Sequence, residues 1–365
     1  MKIKDITSFL ESIAPSAYQE SYDNSGLITG NPDLEVSKVL ITLDCIEDVV
    51  DEAIAEGCNL IIAHHPIVFK GLKKLNGKNY VERTVIKAIK NDIAIYAIHT
   101  NLDNVHVGVN KKICDRLGLI RTKILAPKSD VISKLVAFCP KENTQSVLEA
   151  IHKTGAGSIG NYSHCSFVVN GQGSFKPTDQ ANPHIGKADE LEHVDEDRIE
   201  VQLPTHMENQ VLSALFKSHP YEQVAYYIHR VNNHNQTVGS GMIGELENAM
   251  KPEDFLEYVK TKMDLKVIRH TAAISRKIRK IAVCGGSGSF LLSHAKRAKA
   301  DAFITADFKY HEFFDAEKNL MILDIGHFES EVFTKELLSG FLTENFANIA
   351  PVLSRVDTNP VKYFN

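Results

Sequence analysis

Hydrophobic positions run along this chain in two textures. In the first third, continuous apolar runs alternate with segments whose apolar residues recur every three to four positions. The runs KVLITLD from Lys38, CNLIIAHHP from Cys58 and IAIYAIHTNLD from Ile93 predict strands, with helices between them at EDVVDEAIAEG, closed by Gly57, and YVERTVIKAIKND. From about Thr237 the alternation returns, with strands at IRKIAVCGG, DAFITAD and LMILDIGHFESE and helices at SFLLSHAKRAKA and KYHEFFDAEKN. Strands that are apolar on both faces and separated by helices require a parallel sheet covered on each side. The middle differs. KLVAFCP, NTQSVLEAIHKTG, HCSFVVNGQGSF, RIEVQLP, HMENQVLSALFKSH and VAYYIHRV read as strand, helix, strand, strand, helix, strand, the ferredoxin-like split motif with a core of its own. QANPHIGKADELEHVDED, charged and loop-rich, is expected as a mobile excursion between its second and third strands. The fold expected is α/β: an outer domain of two βαβ-type halves, residues 1–124 and 236–365, interrupted by an α+β ferredoxin-like domain at 125–235.

The first and last thirds repeat one plan. Twenty residues separate Asp44 from His64 and Gly285 from Thr305, each pair spanning a strand end, a helix and the next strand end. The third strands finish in HTNLD and HFESE, both His-x-x-x-acid: His99 with Asp103, and His327 with Glu331. Coinciding strand order and polar strand ends point to one pattern used twice, against the plainer reading that any two such stretches look alike.

The chemistry starts at LIIAHHPIVF. His64 and His65 end an apolar run, and Pro66 stops strand pairing, which fixes both imidazoles at the carboxyl edge of the sheet. Open α/β sheets bind ligands at that edge. Neighbouring side chains of a regular strand face opposite sides, so two ions, or a twisted strand end, suit this pair better than one ion. His99, Asp103, His327 and Glu331 fall at corresponding edges of other strands. Such a set exceeds the three protein ligands of a tetrahedral catalytic ion. The expectation is a dinuclear centre held by His64, His65, Asp103, His327 and Glu331, with Asp103 or Glu331 as the bridge. Imidazoles and carboxylates suit zinc, manganese, iron or cobalt; ligand type alone does not choose among them, and zinc is the first expectation.

Neighbouring residues have two readings each. His99 is a further ligand or holds Asp103 in place. Asp44 points into the site or serves the helix start at EDVV. Asp307 and His311, four apart in TADFKYHE, form a general acid/base pair beside the metals, or else a helix cap and an exposed histidine. Glu329 is expected to face solvent. Gly285, Gly286, Ser287 and Gly288 follow a strand and open a helix, where backbone N–H groups can cradle a phosphate, although a tight turn explains them as well. DNSGL, from Asp23, is a plain turn or a lid.

Composition narrows the partners. At 365 residues, 43% apolar and 24% charged, the chain is of ordinary globular make-up and long enough for two domains. A net charge of -5 offers no global basic field to nucleic acid or to an anionic membrane, so a small-molecule substrate is the partner expected. Six scattered cysteines without a CxxC pair read as reduced thiols of a cytoplasmic protein. The N-terminal stretch has no secretion-signal pattern, and no segment approaches the roughly 18 apolar residues of a membrane span.

YDNSGLITG, LDCIEDVVDEAIAEGCNLIIAHHPIVF, IHTNLDNVHVGVN, TADFKYHEFFDA and DIGHFESE stand in an order and context that resemble the Nif-three-like proteins, often called GTP cyclohydrolase I type 2 homologues. The resemblance covers about two thirds of the chain, on both sides of the middle segment, and rests most on the HHP and GHFESE blocks. The middle is similar to the PII- and CutA-type insertion of the longer bacterial members. The resemblance implies a dinuclear metal centre on His64, His65, Asp103, His327 and Glu331, and a ring-like homohexamer whose metal sites face an internal cavity. Family members begin the first motif with Trp, where this chain has Tyr22, which loosens the match at the pocket rim. Two functions are open: a metal-dependent hydrolase of a nucleotide or other phosphorylated small molecule, cyclohydrolase-like or acting on a phosphoester, and a non-enzymatic metal-binding regulatory or assembly protein.

Overall fold

Three consecutive apolar runs build the first sheet of the computed structural model, which describes residues 1–364. After a first short strand β1 (Gly26–Thr29) come β2 (Val39–Asp44), β3 (Leu60–His65) and β4 (Ala94–Ala97), and β2, β3 and β4 pair in parallel. Leu40, Ile41, Leu60, Ile61, Ile62 and Ile95 are fully buried, as runs that are apolar on both faces demand. Each such side chain contributes roughly 1.5–3 kcal/mol by leaving water. The helix Glu47–Glu56 covers the sheet with Val49, Val50 and Ala53, and stops at Gly57, whose φ of 72° suits a residue without Cβ. The helix Tyr80–Lys90 starts at Asn79, whose side chain accepts from the Glu82 N–H.

The chain then passes through β5 (Ile120–Lys128) into four antiparallel strands, β6 (Ile132–Pro140), β7 (Ser166–Phe175), β8 (Glu192–Pro204) and β9 (Tyr226–Val231), in the order β7-β8-β6-β9. Helices Thr144–His152 and Glu208–Ser218 follow β6 and β8, and Val147, Ile151, Val211 and Leu215 join Leu135, Ile199 and Val201 in a separate core. This unit spans Lys128–Asn235, and the residues on either side of it, Met1–Pro127 and Gln236 onward, make the other compact unit. β8 begins inside the segment expected as an excursion: Glu192–Glu196 pair with Gly171–Phe175, so backbone hydrogen bonds, not burial, hold this polar stretch.

On its return the chain forms β10 (Asn235–Met250), β11 (Arg269–His270), β12 (Ile278–Ser287), β13 (Ala302–Ala306) and β14 (Met321–Asp324), in a six-stranded sheet of order β11-β14-β13-β12-β10-β5. β12, β13 and β14 are parallel, the counterpart of β2, β3 and β4. A last strand, β15 (Val352–Leu353), adds beside β2. The architecture is a mixed α/β fold with several sheets. Among the described residues no helix is long and apolar enough to cross a membrane.

Two differences from the expected elements matter to the site. β4 ends at Ala97 because the Asn101 side chain accepts the His99 N–H, and Thr100–Asp103 turns into a helix. β14 ends at Asp324, Gly326 takes a φ of 92°, and His327–Glu331 is helical. Both His-x-x-x-acid pairs therefore sit in helical turns, where a spacing of four brings side chains to one face. KYHEFFDAEKN, expected as an α-helix, forms a 3-10 helix over Tyr310–Ala316.

Candidate metal centre

Parallel pairing sets Asp44 opposite His65 at the ends of β2 and β3, and the Asp44 Oδ1 lies 2.8 Å from His65 Nδ1. The same device recurs around the cluster. Asp23 Oδ1 is 2.8 Å from His99 Nδ1, Asp307 Oδ2 is 2.7 Å from His327 Nδ1, and the Ile98 carbonyl is 2.8 Å from His64 Nδ1. Four rings are thus held through Nδ1, which leaves Nε2 to act as the ligand atom. His65 Nε2 and His327 Nε2 approach Glu331 Oε2 at 2.9 and 3.2 Å. His64 Nε2 lies 3.6 Å from Asp103 Oδ1 and 3.9 Å from Glu331 Oε1.

Three groups have ligand atoms within 4.8 Å of one another: His65, His327 and Glu331; His64, Asp103 and Glu331; and His64, His65 and His99. Glu331 is common to the first two. His64 Nε2 and Asp103 Oδ1 are buried and have no hydrogen-bond partner. Each such group costs about 1–3 kcal/mol if left unsatisfied, and a cation between an imidazole lone pair and a carboxylate oxygen satisfies both. The donor set therefore fits a divalent ion.

Electrostatics follow the same division. Burial pushes the His64 ring down to about 3, so it is neutral and ready to coordinate. Burial would also lower His65 and His327, but the carboxylates of Glu331 with Asp44 and Asp307 raise them to about 10 and about 9. Burial would raise Glu331, yet His327 and His65 hold it well below the usual carboxylate range. Asp103 is pushed well above that range by burial and by the Glu331 charge. Without a cation, protons on His65 and His327 neutralise Glu331.

A model of the Duf34/NIF3 family (NGG1p interacting factor 3) matches residues 1–360. The chain belongs to the Duf34/NIF3 family. A Bacillus subtilis relative called GTP cyclohydrolase 1 type 2 homolog is 39% identical over 366 residues, covering 99% of this chain and 98% of that one. A Staphylococcus epidermidis protein of the same name is 36% identical over 368 residues, with 100% of each chain covered. Among solved structures, a Bacillus cereus protein related to NIF3 matches with a TM-score of 0.86 at 38% identity, over 100% of this chain and 99% of that one.

In this Duf34/NIF3 chain His64, His65, Asp103, His327 and Glu331 converge in one cluster, and His99 joins it. Asp44 points into the cluster as the partner of His65, and the following helix, with Ile46 at its cap position, starts without a side-chain cap. Asp307 is the partner of His327, not of His311, whose exposed ring lies against Tyr310 and Phe314. The glycine turn has its own work: the Gly285 N–H donates to Asn110 Oδ1 and the Gly286 N–H to Ser330 Oγ, so neither is open to a phosphate. A Cβ on Gly286 would lie 2.4 Å from Glu331 Oε1, so the glycine is what lets the backbone approach the shared carboxylate. Glu329, expected in solvent, accepts from Asn359 Nδ2 at 3.0 Å.

Sequence reasoning left two participants unassigned. Asp23 was visible only as part of a turn motif, and pairs with a histidine 76 positions away. Thr358 donates to Asp44 Oδ2 at 2.7 Å, so the C-terminal tail braces the carboxylate that holds His65. Nothing in the composition of VDTNP signals that role. Above the cluster opens a cavity of about 950 Å³, lined by His65, His99, Asp103, His327 and Glu331 and by the aromatic rings of Tyr22, Phe69, Tyr80 and Phe290.

Proposed function

We propose that this Duf34/NIF3 protein is a dinuclear metal-dependent hydrolase of a nucleotide or other phosphorylated small molecule. The observation that carries the reading is Glu331, shared by two ligand groups, His65 with His327 and His64 with Asp103. Two ions on these groups, zinc first, would supply Lewis acidity and a water made acidic near neutral pH. The chain's own residues would do the rest. Asp44, Asp307, Asp23 and the Ile98 carbonyl hold the rings so that Nε2 faces the ions. His99, whose Nδ1 is held by Asp23, is a further ligand beside His64 and His65 and not the support expected for Asp103. The proton-transfer role expected of Asp307 and His311 gives way to ring orientation by Asp307 alone.

The open cavity favours an enzyme over the regulatory alternative, since structural metal sites are closed by protein ligands. Its rings suit a nucleotide base, in keeping with the name GTP cyclohydrolase 1 type 2 homolog carried by the relatives. We read the unit Lys128–Asn235 as a ferredoxin-like insertion on its β-α-β-β-α-β order, and the assembly as a homohexamer in the cytoplasm on the family resemblance. The test is elemental analysis of protein purified without added metal or chelator, then a hydrolysis screen on the same sample against GTP, other nucleotides and generic phosphodiesters. Two equivalents with metal-dependent turnover support the hydrolase. Two equivalents without turnover move the reading to the regulatory alternative, and less than one equivalent that added zinc, manganese, iron or cobalt does not restore overturns it.

A further inference from the structure

The loop between β3 and the helix Tyr80–Lys90, Pro66 to Asn79, carries Lys70, Lys73, Lys74 and Lys78 and no acidic residue, in a chain whose net charge is -5. Among the described residues none of these four ammonium groups is paired with a carboxylate, and the four fall within nine consecutive positions. Both ends of the loop are fixed. Asn24 Nδ2 donates to the Val68 carbonyl at 2.6 Å, and the N–H groups of Asn76 and Lys78 donate to Glu82 at 3.1 and 3.0 Å. Between these anchors every residue from Phe69 to Leu75 is exposed.

The loop borders the metal cavity with Phe69, Lys70 and Leu72. The Phe69 ring stands edge-on to His99, centroids 5.5 Å apart, and is still 48% exposed. Tyr22, Tyr80 and Phe290, 67%, 56% and 62% exposed, line the same cavity. Large rings left in water around one cavity are surface for a planar ligand. The charges settle how such a ligand lies. Five carboxylates ring the cluster, on Asp23, Asp44, Asp103, Asp307 and Glu331, and together they outweigh the charge of two divalent ions. These carboxylates offset the charge of the ions, and among the described residues that line the cavity Lys70 is the one lysine or arginine, with Lys73, Lys74 and Lys78 following it along the loop.

We propose that the loop Pro66–Asn79 is an anion-binding arm. The ligand class is an aromatic ring bearing two or more anionic groups at its far end: the ring enters beside Phe69 and the metal cluster, and the anionic tail rests on Lys70, Lys73, Lys74 and Lys78. The bond presented to the cluster is then in or next to the ring, with the phosphates as a handle. This deepens the hydrolase reading and rests on it for the position of the metals.

Binding tests the arm without turnover. Titration calorimetry on the full, metal-loaded chain would compare a purine nucleoside, its 5′-triphosphate and inorganic tripolyphosphate. The wild type should bind the triphosphate about 10- to 100-fold more tightly than the nucleoside, with an affinity that falls as salt rises. Replacing all four lysines by Gln should remove that preference and its salt dependence while leaving nucleoside affinity and metal content unchanged. Phe69→Ala should weaken nucleoside and triphosphate together, by about 10-fold. The arm is overturned if the four-lysine variant keeps the preference, or if the variant changes only the sedimenting mass, which would make the loop a contact between copies of the chain. Tripolyphosphate binding that ignores the lysines overturns it too. A chain that holds no metal yet keeps lysine-dependent triphosphate binding would sink the hydrolase reading and leave the arm standing.

Discussion

Glu331 is the residue whose loss should damage most. It is 3% exposed and takes hydrogen bonds from His65 Nε2 at 2.9 Å and His327 Nε2 at 3.2 Å, while its other oxygen faces His64 at 3.9 Å. Glu331→Gln keeps the volume and removes the charge. The amide can keep its oxygen toward His65 and His327 and turn its NH2 group to His64, but a neutral amide oxygen is a weaker acceptor for two charged rings than a carboxylate. Removing one partner of a buried ion pair costs about 3–5 kcal/mol, but here the rings can shed their protons, which relieves part of it. A loss of about 3 kcal/mol in the metal-free protein is expected, a fall in melting temperature of roughly 4 °C for a chain of 365 residues. Because the carboxylate belongs to both ligand groups, metal content should drop from the two equivalents proposed to below one. Elemental analysis after gel filtration, with thermal denaturation before and after metal addition, reads both effects. Glu329→Gln, two positions away and bonded to Asn359, is the control and should keep its metal. If Glu331→Gln holds two equivalents and still melts higher on metal addition, the shared-ligand geometry is wrong.

Thr358→Val removes the hydroxyl that braces Asp44 while keeping its shape, and should weaken metal binding about 10-fold in a competition with a chromophoric chelator, with Thr358→Ser restoring it. An unchanged affinity would show that Asp44 needs no brace. Gly286→Ala introduces a Cβ 2.4 Å from Glu331 Oε1 at a backbone φ of +61°, so metal content should fall and stability drop by at least about 1 kcal/mol; a variant with full metal content would refute the close approach. In the metal-free chain, His65 titrates near 10 instead of 6.5, so its contribution is complete below about pH 6.5 and disappears as pH rises toward 10. Urea denaturation should show stability declining by up to about 4 kcal/mol over that window, whereas metal affinity should climb as the same proton leaves. Flat stability across the window would mean that His65 is neutral in the metal-free protein.

Much of this was legible in the chain because the signals were local. Apolar runs such as LITL and LIIA have no partner but a covered sheet, and the boundaries of β2 and β3 fall within two residues of the expected ones. The five proposed ligands stood out as a set: two adjacent histidines closed by a proline, together with two His-x-x-x-acid pairs that follow strands. The misses share a different cause. His311 and Asp307 are four apart, as in a helix, but Asp307 adopts a left-handed φ of 59° and the segment becomes a 3-10 helix, so the spacing no longer implies a common face. The glycine turn reads as a phosphate cradle only while its N–H groups are taken to be free, and Asn110 and Ser330, distant in sequence, occupy two of them. Asp23 and Thr358 act across 76 and 314 positions, beyond what any local pattern encodes.

Those long-range contacts also bear on how the site assembles. His64, His65 and Asp103 come from the segment before the inserted unit, and His327 and Glu331 from the segment after it. Neither segment can form the cluster alone, and Glu331 meets His65 across 266 positions, a loop whose closure entropy must be met before any ligand geometry exists. The tail supplies part of the closure without metal: Ser354 bonds to Glu52, Thr358 to Asp44 and Asn359 to Glu329, so one short stretch grips strand-end and helix residues of both segments. Metal that binds only the assembled cluster then adds stability by mass action. A chain truncated before Ser354 keeps the sheet in which β5 of the first segment joins β10 of the second, but loses these three bonds, and should accordingly lean more on metal for its stability than the intact chain does.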